Sequence, residues 1–189
     1  ATRVVKSMQR ANAARPYAAK ITGVIEDLAA GGAGVDDPLL RSSKEIRNTA
    51  FVVVTSDRGL AGPYNSAVIR AAEREVMAEQ TEGRGYKLIL IGKKAHDYFK
   101  FRRYDIEAFF EGLTDSPRYE DARDVAKHVR QMFVDEDVDQ VILAYQEFVS
   151  MGTQRVAVRR FLPLESLETV AVSGDATAKA LFKFEPSAE

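Results

Sequence analysis

Phe51-Val52-Val53-Val54-Thr55-Ser56-Asp57-Arg58-Gly59-Leu60-Ala61-Gly62-Pro63-Tyr64-Asn65 holds three kinds of chain in fifteen residues: an apolar run, a glycine-bearing loop and the opening of a helical pattern. Four consecutive apolar residues, three of them β-branched, suit a strand buried on both faces. From Tyr64 to Gln80 the period lengthens, and Ala67, Val68, Ala71 and Val76 fall on one side of a helix. Strand, short loop and helix in that order predict the first half of a βαβ crossover, the unit of a parallel sheet.

Outward from this unit the same alternation repeats. Leu88-Ile89-Leu90-Ile91 is a second buried strand, followed by a short helix over Lys93 to Phe101 that ends in the basic pair Arg102-Arg103. Asp105 to Glu111 reads as a third strand nearer an edge. Arg118 to Val134 reads as a third helix with Tyr119, Ala122, Val125, Ala126, Val129 and Phe133 inward, and Val141-Ile142-Leu143-Ala144 as a fourth strand. The pattern then becomes strictly alternating: Val156 and Val158 against Arg155, Ala157 and Arg159 between Gln154 and Phe161. The loop Ser150-Met151-Gly152-Thr153 suits a hairpin, which adds the fifth strand antiparallel. The predicted class is α/β: a mostly parallel, Rossmann-like sheet of about five strands covered by helices, with right-handed crossovers.

Upstream, residues 3–30 show no strand pattern and predict one helix about 42 Å long. Val4, Ser7, Ala11, Ala14, Ala18, Ile21, Ile25 and Leu28 follow a strict 3-4 alternation. That repeat is the seam of a coiled coil rather than the drifting stripe of a helix lying on its own domain. Pro16 predicts a kink near Asn12–Pro16. Arg3 and Lys6 carry the wrong sign for a helix N-terminus, whereas Pro186-Ser187-Ala188-Glu189 reads as a helix opening, with Ser187 as N-cap. The expectation is that both ends are cut and that the partner helix of the coil begins near Ser187. Residues 31–47, with Gly31, Gly32, Gly34 and Pro38, read as a loop, and 164–189 carry at most a short strand at Leu181–Phe184. The expected division is a coiled-coil half over 1–30, a globular domain over 48–163 and a connection over 164–189.

Composition narrows the chemistry. The 189 residues are 46% hydrophobic and 29% charged, enough for a real core. Lys plus Arg is 27 against 28 for Asp plus Glu, which argues against a globally basic nucleic-acid binder. Cysteine is absent, so disulfides and thiolate chemistry are excluded, and His96 and His128 are the only imidazoles, too few for a typical zinc site. No apolar run is long enough to span a bilayer, so direct membrane insertion is not expected.

The loop after the first strand is where doubly wound folds hold phosphate. Its glycines are Gly59 and Gly62 only, which completes neither G-x-G-x-x-G nor a Gly-Lys-Ser/Thr ending. Gly59 or Gly62 is expected to hold a backbone angle that other residues resist. Ser56 and Asp57 with either histidine lack a nucleophile elbow. Both histidines read as helix-surface residues. Asp135, Glu136, Asp137 and Asp139 read as a solvated turn, and Lys93, Lys94, Lys100, Arg102 and Arg103 as a solvated basic patch.

Asp57-Arg58-Gly59-Leu60-Ala61-Gly62-Pro63-Tyr64-Asn65 resembles the Asp-Arg-Gly-Leu-Cys-Gly-Gly-Phe/Tyr-Asn segment of gamma subunits of F-type ATP synthases. Ala14-Arg15-Pro16-Tyr17, Ile91-Gly92-Lys93-Lys94, the set Tyr145, Phe148, Ser150 and Gln154, and Phe184-Glu185-Pro186-Ser187 resemble further stretches of that family in the same order. Ala61 and Pro63 depart from the common Cys and Gly, and no cysteine-bearing insert of the chloroplast type is present. The resemblance implies a non-catalytic rotor subunit of a multisubunit enzyme, with no cofactor of its own. The implied partners are the alpha and beta subunits, the epsilon subunit and the membrane proton-driven ring. The implied place is peripheral, on the cytoplasmic face of a bacterial plasma membrane. Val4, Ala11, Ala14, Ala18 and Ile21 on the seam, and Asp57, Arg58, Gly59, Leu60 and Gly62 in the loop, are the expected partner contacts. The rival reading is a small nucleotide-binding domain or enzyme that uses the Asp57–Asn65 loop.

Overall fold

The computed structural model describes residues 38–59, 63–114, 117–150 and 153–164. The long helix over 3–30, its kink at Pro16, the strand at 181–184 and the helix opening at Ser187 lie outside the described residues. Residues Pro38–Leu164 form one compact unit.

The apolar run that opens the sequence reading sits at the middle of the sheet. It belongs to β1 (Asn48–Val54), which pairs in parallel with β2 (Gly85–Ile91) on one side and with β4 (Gln140–Ser150) on the other. Beyond β2 lies β3 (Ile106–Phe110), parallel, and beyond β4 lies β5 (Thr153–Leu162), antiparallel, giving the order β3-β2-β1-β4-β5. Helices α1 (Tyr64–Thr81) and α2 (Lys93–Phe101) make the first two crossovers, and α3 (Tyr119–Val134) makes the third. A short 3-10 turn at Pro38–Leu40 precedes the sheet.

Why β1 reads as an unbroken apolar run is now plain, because both of its faces are covered. Phe51 and Val53 pack with Leu88 and Leu90 under Val68, Ala72 and Val76 of α1 and Ala95 and Phe99 of α2. On the opposite face, Ala50, Val52, Ile89 and Val141 pack against Val125, Val129, Met132 and Phe133 of α3. Phe51, Phe99 and Phe133 are fully buried, and each contributes on the order of 1.5–3 kcal/mol of transfer free energy. No helix among the described residues is long and apolar enough to cross a membrane.

The structure corrects several readings. Tyr119 is 77% exposed instead of inward, because it opens α3 before the helix reaches the sheet, while Met132 near the other end is buried. Ala122 and Ala126 are exposed, and both line the cavity between α3 and the sheet. β4 runs to Ser150, well past Ala144. Its pairing with β1 stops at Ala144, and the rest is held by β5 alone. The histidines are half-buried against the edge strand β3. The His96 ring stacks on Phe109 at 4.0 Å between centroids, and His128 meets Phe110 edge-on at 6.2 Å.

Candidate functional site

Strand order fixes where a ligand would bind in such a sheet. The crossovers through α1 and α2 step one way from β1, and α3 returns the chain to the other side, so the order reverses between β1 and β4. The crevice outside the carboxyl ends of the strands, at that reversal, is the usual ligand site. Thr55 to Gly59 emerge there from β1.

Each polar group of this loop is aimed at a neighbouring strand end. Thr55 is fully buried. Its hydroxyl donates to the Ile91 carbonyl at 3.2 Å and accepts from the Ala95 amide at 3.0 Å, and its own amide donates to Ile91 at 2.8 Å. The Ser56 amide donates to the Asn65 side chain at 2.9 Å, which ties the start of the loop to the first turn of α1. The Ser56 carbonyl accepts from the Lys94 amide at 3.2 Å.

Asp57 completes the set. Its carboxylate accepts from the Lys93 amide at 3.1 Å, the Gly112 amide at 3.1 Å and the Thr114 hydroxyl at 2.7 Å. The Asp57 amide donates back to the same hydroxyl at 3.0 Å. One side chain therefore joins the ends of β1, β2 and β3. Burial works to raise its pKa, but the Thr114 hydroxyl and the amides of Gly112 and Lys93 outweigh it and hold the carboxyl below the ordinary aspartate value.

The consequence for anion binding is direct. A helix N-terminus attracts anions through its unpaired first amides. At α2 those amides are taken: Lys93 by Asp57, Lys94 by the Ser56 carbonyl, Ala95 by the Thr55 hydroxyl. Asp57 takes the place of an anion at the N-terminus of α2, and the dipole of α2 acts on a residue of the chain itself.

On the α3 face of the same end lies a cavity of about 540 Å³ lined mainly by apolar groups, among them Val54, Leu113, Val125, Leu143 and Phe161. Its polar rim is largely engaged. Thr114 is held by Asp57, and Arg118 pairs with Asp121 at 3.0 Å. Tyr64 also lines it, and burial pushes its phenol pKa upward, so the group stays neutral. Among the described residues lining it, no cluster of free donors of the kind a polyphosphate needs is present. Among the described residues no group of His, Asp and Glu is arranged to hold a metal ion.

Of the residues singled out in sequence, Asp57, Arg58 and Gly59 lie together at this end. Leu60 and Gly62, and the seam residues Val4, Ala11, Ala14, Ala18 and Ile21, lie outside the described residues. Arg58 and Gly59 are exposed. Of the two glycines expected to hold a special backbone angle, Gly59 does not, and Gly62 lies outside the described residues. A Cβ on Gly59 would meet only the Lys94 side chain, at 3.8 Å. Gly92 does hold such an angle, with φ +93° at the N-cap of α2, and a Cβ there would collide with the Thr55 carbonyl. The readable signal was a glycine between an apolar run and a helix. Thr114 and Gly112 carried no such signal, because they meet Asp57 only through the topology.

The other end of the sheet is closed similarly. Asp139 accepts from the amides of Arg47 at 2.7 Å and Asn48 at 2.9 Å and from the Ser43 hydroxyl at 3.2 Å, so it is more than a member of a solvated acidic turn. Glu79 accepts from Thr49 at 3.0 Å and from Arg84 at 2.6 Å, and Arg84 holds its pKa down against the effect of burial.

Comparison with known proteins gives this end its family. A family model described as ATP synthase matches residues 1–189. The ATP synthase gamma chain of Kineococcus radiotolerans is 37% identical over 193 residues, covering 100% of this chain and 64% of that one. That of Nocardioides sp. is 37% identical over 193 residues, covering 100% and 63%. The chain thus spans a little under two thirds of the length of these curated relatives. A chain in the central stalk and c-ring structure of Tetrahymena thermophila mitochondrial ATP synthase shares the fold. Its TM-score is 0.56 at 21% identity, with 80% of this chain and 71% of that one covered. Matched along its whole length, this chain belongs to the ATP synthase family represented by these gamma chains.

Proposed function

We propose that this chain is part of a non-catalytic central rotor subunit of a proton-translocating F-type ATP synthase. In this reading it transmits rotation between a membrane ring and the alpha and beta subunits that make ATP, with an epsilon subunit as a further partner. The complex would lie on the cytoplasmic face of a bacterial plasma membrane. Family membership supports the assignment. The observation that carries its non-catalytic part is Asp57, whose carboxylate fills the anion position at α2 and braces three strand ends.

The coupling follows from differential contact. A shaft that meets each catalytic subunit differently at each angle shifts the populations of their conformations in turn. The seam residues Val4, Ala11, Ala14, Ala18 and Ile21 are the proposed contacts of the shaft, its small central residues letting a second helix approach closely. The braced loop fixes where Arg58 and Gly59 are presented to partners, and Leu60 and Gly62 are further proposed contacts. The globular domain supplies stiffness, because a sheet whose strand ends are cross-tied resists torque better than one with free loops.

The test is made in the full-length gene product. Tagged protein purified from cells should bring down alpha, beta and epsilon subunits in one complex. Replacing Ala14 and Ala18 together by Leu should impair assembly or uncouple ATP hydrolysis from proton pumping while leaving the sheet folded. Purification as a lone chain, or unchanged coupling in the double variant, overturns the reading.

A further inference from the structure

Helix α3 does not lie evenly on the sheet. Ala122, Ala126, Val129 and Phe133 form one stripe at helical spacing, and the stripe runs from small to large along the helix. At the large end Val129, Met132 and Phe133 are buried against the sheet. At the small end the alanine side chains stop at Cβ and both residues stay exposed. Alanine cannot fill the layer that phenylalanine fills, so the helix holds a space open there. This is the cavity of about 540 Å³. Val52, Val54 and Leu143 of the sheet line it from one side and the two alanines from the other, with Phe161, 48% exposed, at its flank. Ligand pockets are typically about 300–1,000 Å³ and mostly apolar, and hydrocarbon-lined cavities take up apolar molecules in preference to water.

One polar group of the lining gives the ligand its chemistry. Tyr64 opens α1 and lines the cavity, half-buried, and its hydroxyl has no hydrogen bond among the described residues. Tyr98 and Tyr104, also half-buried, donate theirs to Glu73 at 2.8 and 2.9 Å, and the Tyr86 hydroxyl accepts from the Asp105 amide at 3.2 Å. Burial keeps the Tyr64 phenol neutral, so it has a proton to donate. The remaining polar groups of the lining answer one another. Thr114 is held by Asp57, and Asp121 accepts from both Nε and a terminal nitrogen of Arg118. A charged ligand would lose its hydration here and gain no free counter-ion.

We infer that the cavity binds a compact, uncharged apolar molecule with one hydrogen-bond acceptor, an aromatic or alicyclic carbonyl compound by class. Its hydrocarbon body lies between α3 and the sheet, and its acceptor takes the hydroxyl of Tyr64. The inference stands on the cavity and does not depend on the rotor reading.

The experiment uses the full-length protein and the fluorescent ketone 6-propionyl-2-dimethylaminonaphthalene. Emission should shift to the blue and saturate at one probe per chain, and the methyl resonances of Val54, Val125 and Leu143 should move with the same saturation. Bound ligand should also raise the thermal midpoint. Tyr64→Phe should weaken the ketone about five- to tenfold, the loss of one hydrogen bond, and leave the affinity of naphthalene, which has no acceptor, unchanged. A122L/A126L fills the space and should abolish binding of both. The methyl shifts locate the probe without any substitution, so the test holds if the filled variant fails to fold. Emission that does not saturate, methyl shifts confined to other parts of the chain, or undiminished binding in folded A122L/A126L overturns the inference. An equal affinity for the ketone in Tyr64→Phe overturns the assigned ligand class.

Discussion

Asp57 and Asp139 sit at opposite ends of one sheet, and each turns its carboxylate toward backbone amides. Asp139 closes the amino end at one neighbouring segment, gathering the amides of Arg47 and Asn48 and the hydroxyl of Ser43 where the chain enters β1, 91 to 96 residues earlier in sequence. Asp57 closes the carboxyl end across three strands, reaching Lys93 beyond β2 and Gly112 and Thr114 beyond β3. In a doubly wound sheet the amino end is where loops hold the structure together, and the carboxyl end is where ligands bind. Here the carboxyl end has been given the same treatment as the amino end. The doubly wound fold remains, and the anion position at the N-terminus of α2 is filled from within.

The largest effect should come from Gly92→Ala, which adds a Cβ at φ +93° against the Thr55 carbonyl. It should cost about 3 kcal/mol or more in urea unfolding, because both strain and collision act at one point of the brace. Asp57→Ala should cost about 2–3 kcal/mol, since it leaves two amides and a hydroxyl of two other segments without their acceptor. Asp139→Ala, at the amino end, should cost about 1–2 kcal/mol by the same measurement. Equal losses for the two aspartates would erase the difference in reach between the ends.

Acid should show the same asymmetry more weakly. At both aspartates burial works to raise the pKa, and donated hydrogen bonds outweigh it, so each carboxyl lies below the ordinary value of 3.8. A group whose folded pKa is depressed contributes stability above its unfolded pKa and loses that contribution as pH falls through the folded value. Stability should therefore fall with acidification below about pH 4. Asp57→Asn should flatten that fall, measured as the urea midpoint against pH, and Asp139→Asn should flatten it less. The smallest effect belongs to Gly59→Ala, within about 0.5 kcal/mol, because a Cβ there meets only a flexible lysine stem.

The contrast between Gly59 and Gly92 also shows what could be read from residues in order. The buried strands at 51–54, 88–91 and 141–144, the helix Lys93–Phe101 and the antiparallel last strand were legible, because period and apolar continuity are local properties. The loop after β1 was legible as special. Its grammar was not, because Asp57 meets partners 36 to 57 residues away that only the strand order brings near. Gly92 was not singled out, because the collision it avoids is with the carbonyl of Thr55, just past the end of the neighbouring strand. Tyr119 misled for a simpler reason. It has the helical spacing of the buried positions, but the first turn of α3 stands off the sheet.

The central claim is that the chain's own carboxylate occupies the anion position at α2. It is tested most directly by following the backbone amide resonances of Lys93, Lys94, Ala95 and Gly112 while magnesium-ATP is added to the protein. The account predicts no saturable shift at these amides up to millimolar nucleotide, and large shifts at Lys93 and Gly112 on Asp57→Ala without any nucleotide. Saturable shifts centred on Lys93 to Ala95 in the unaltered protein would contradict it. They would mean that Asp57 yields its place to a ligand and that the carboxyl end of this sheet still binds one.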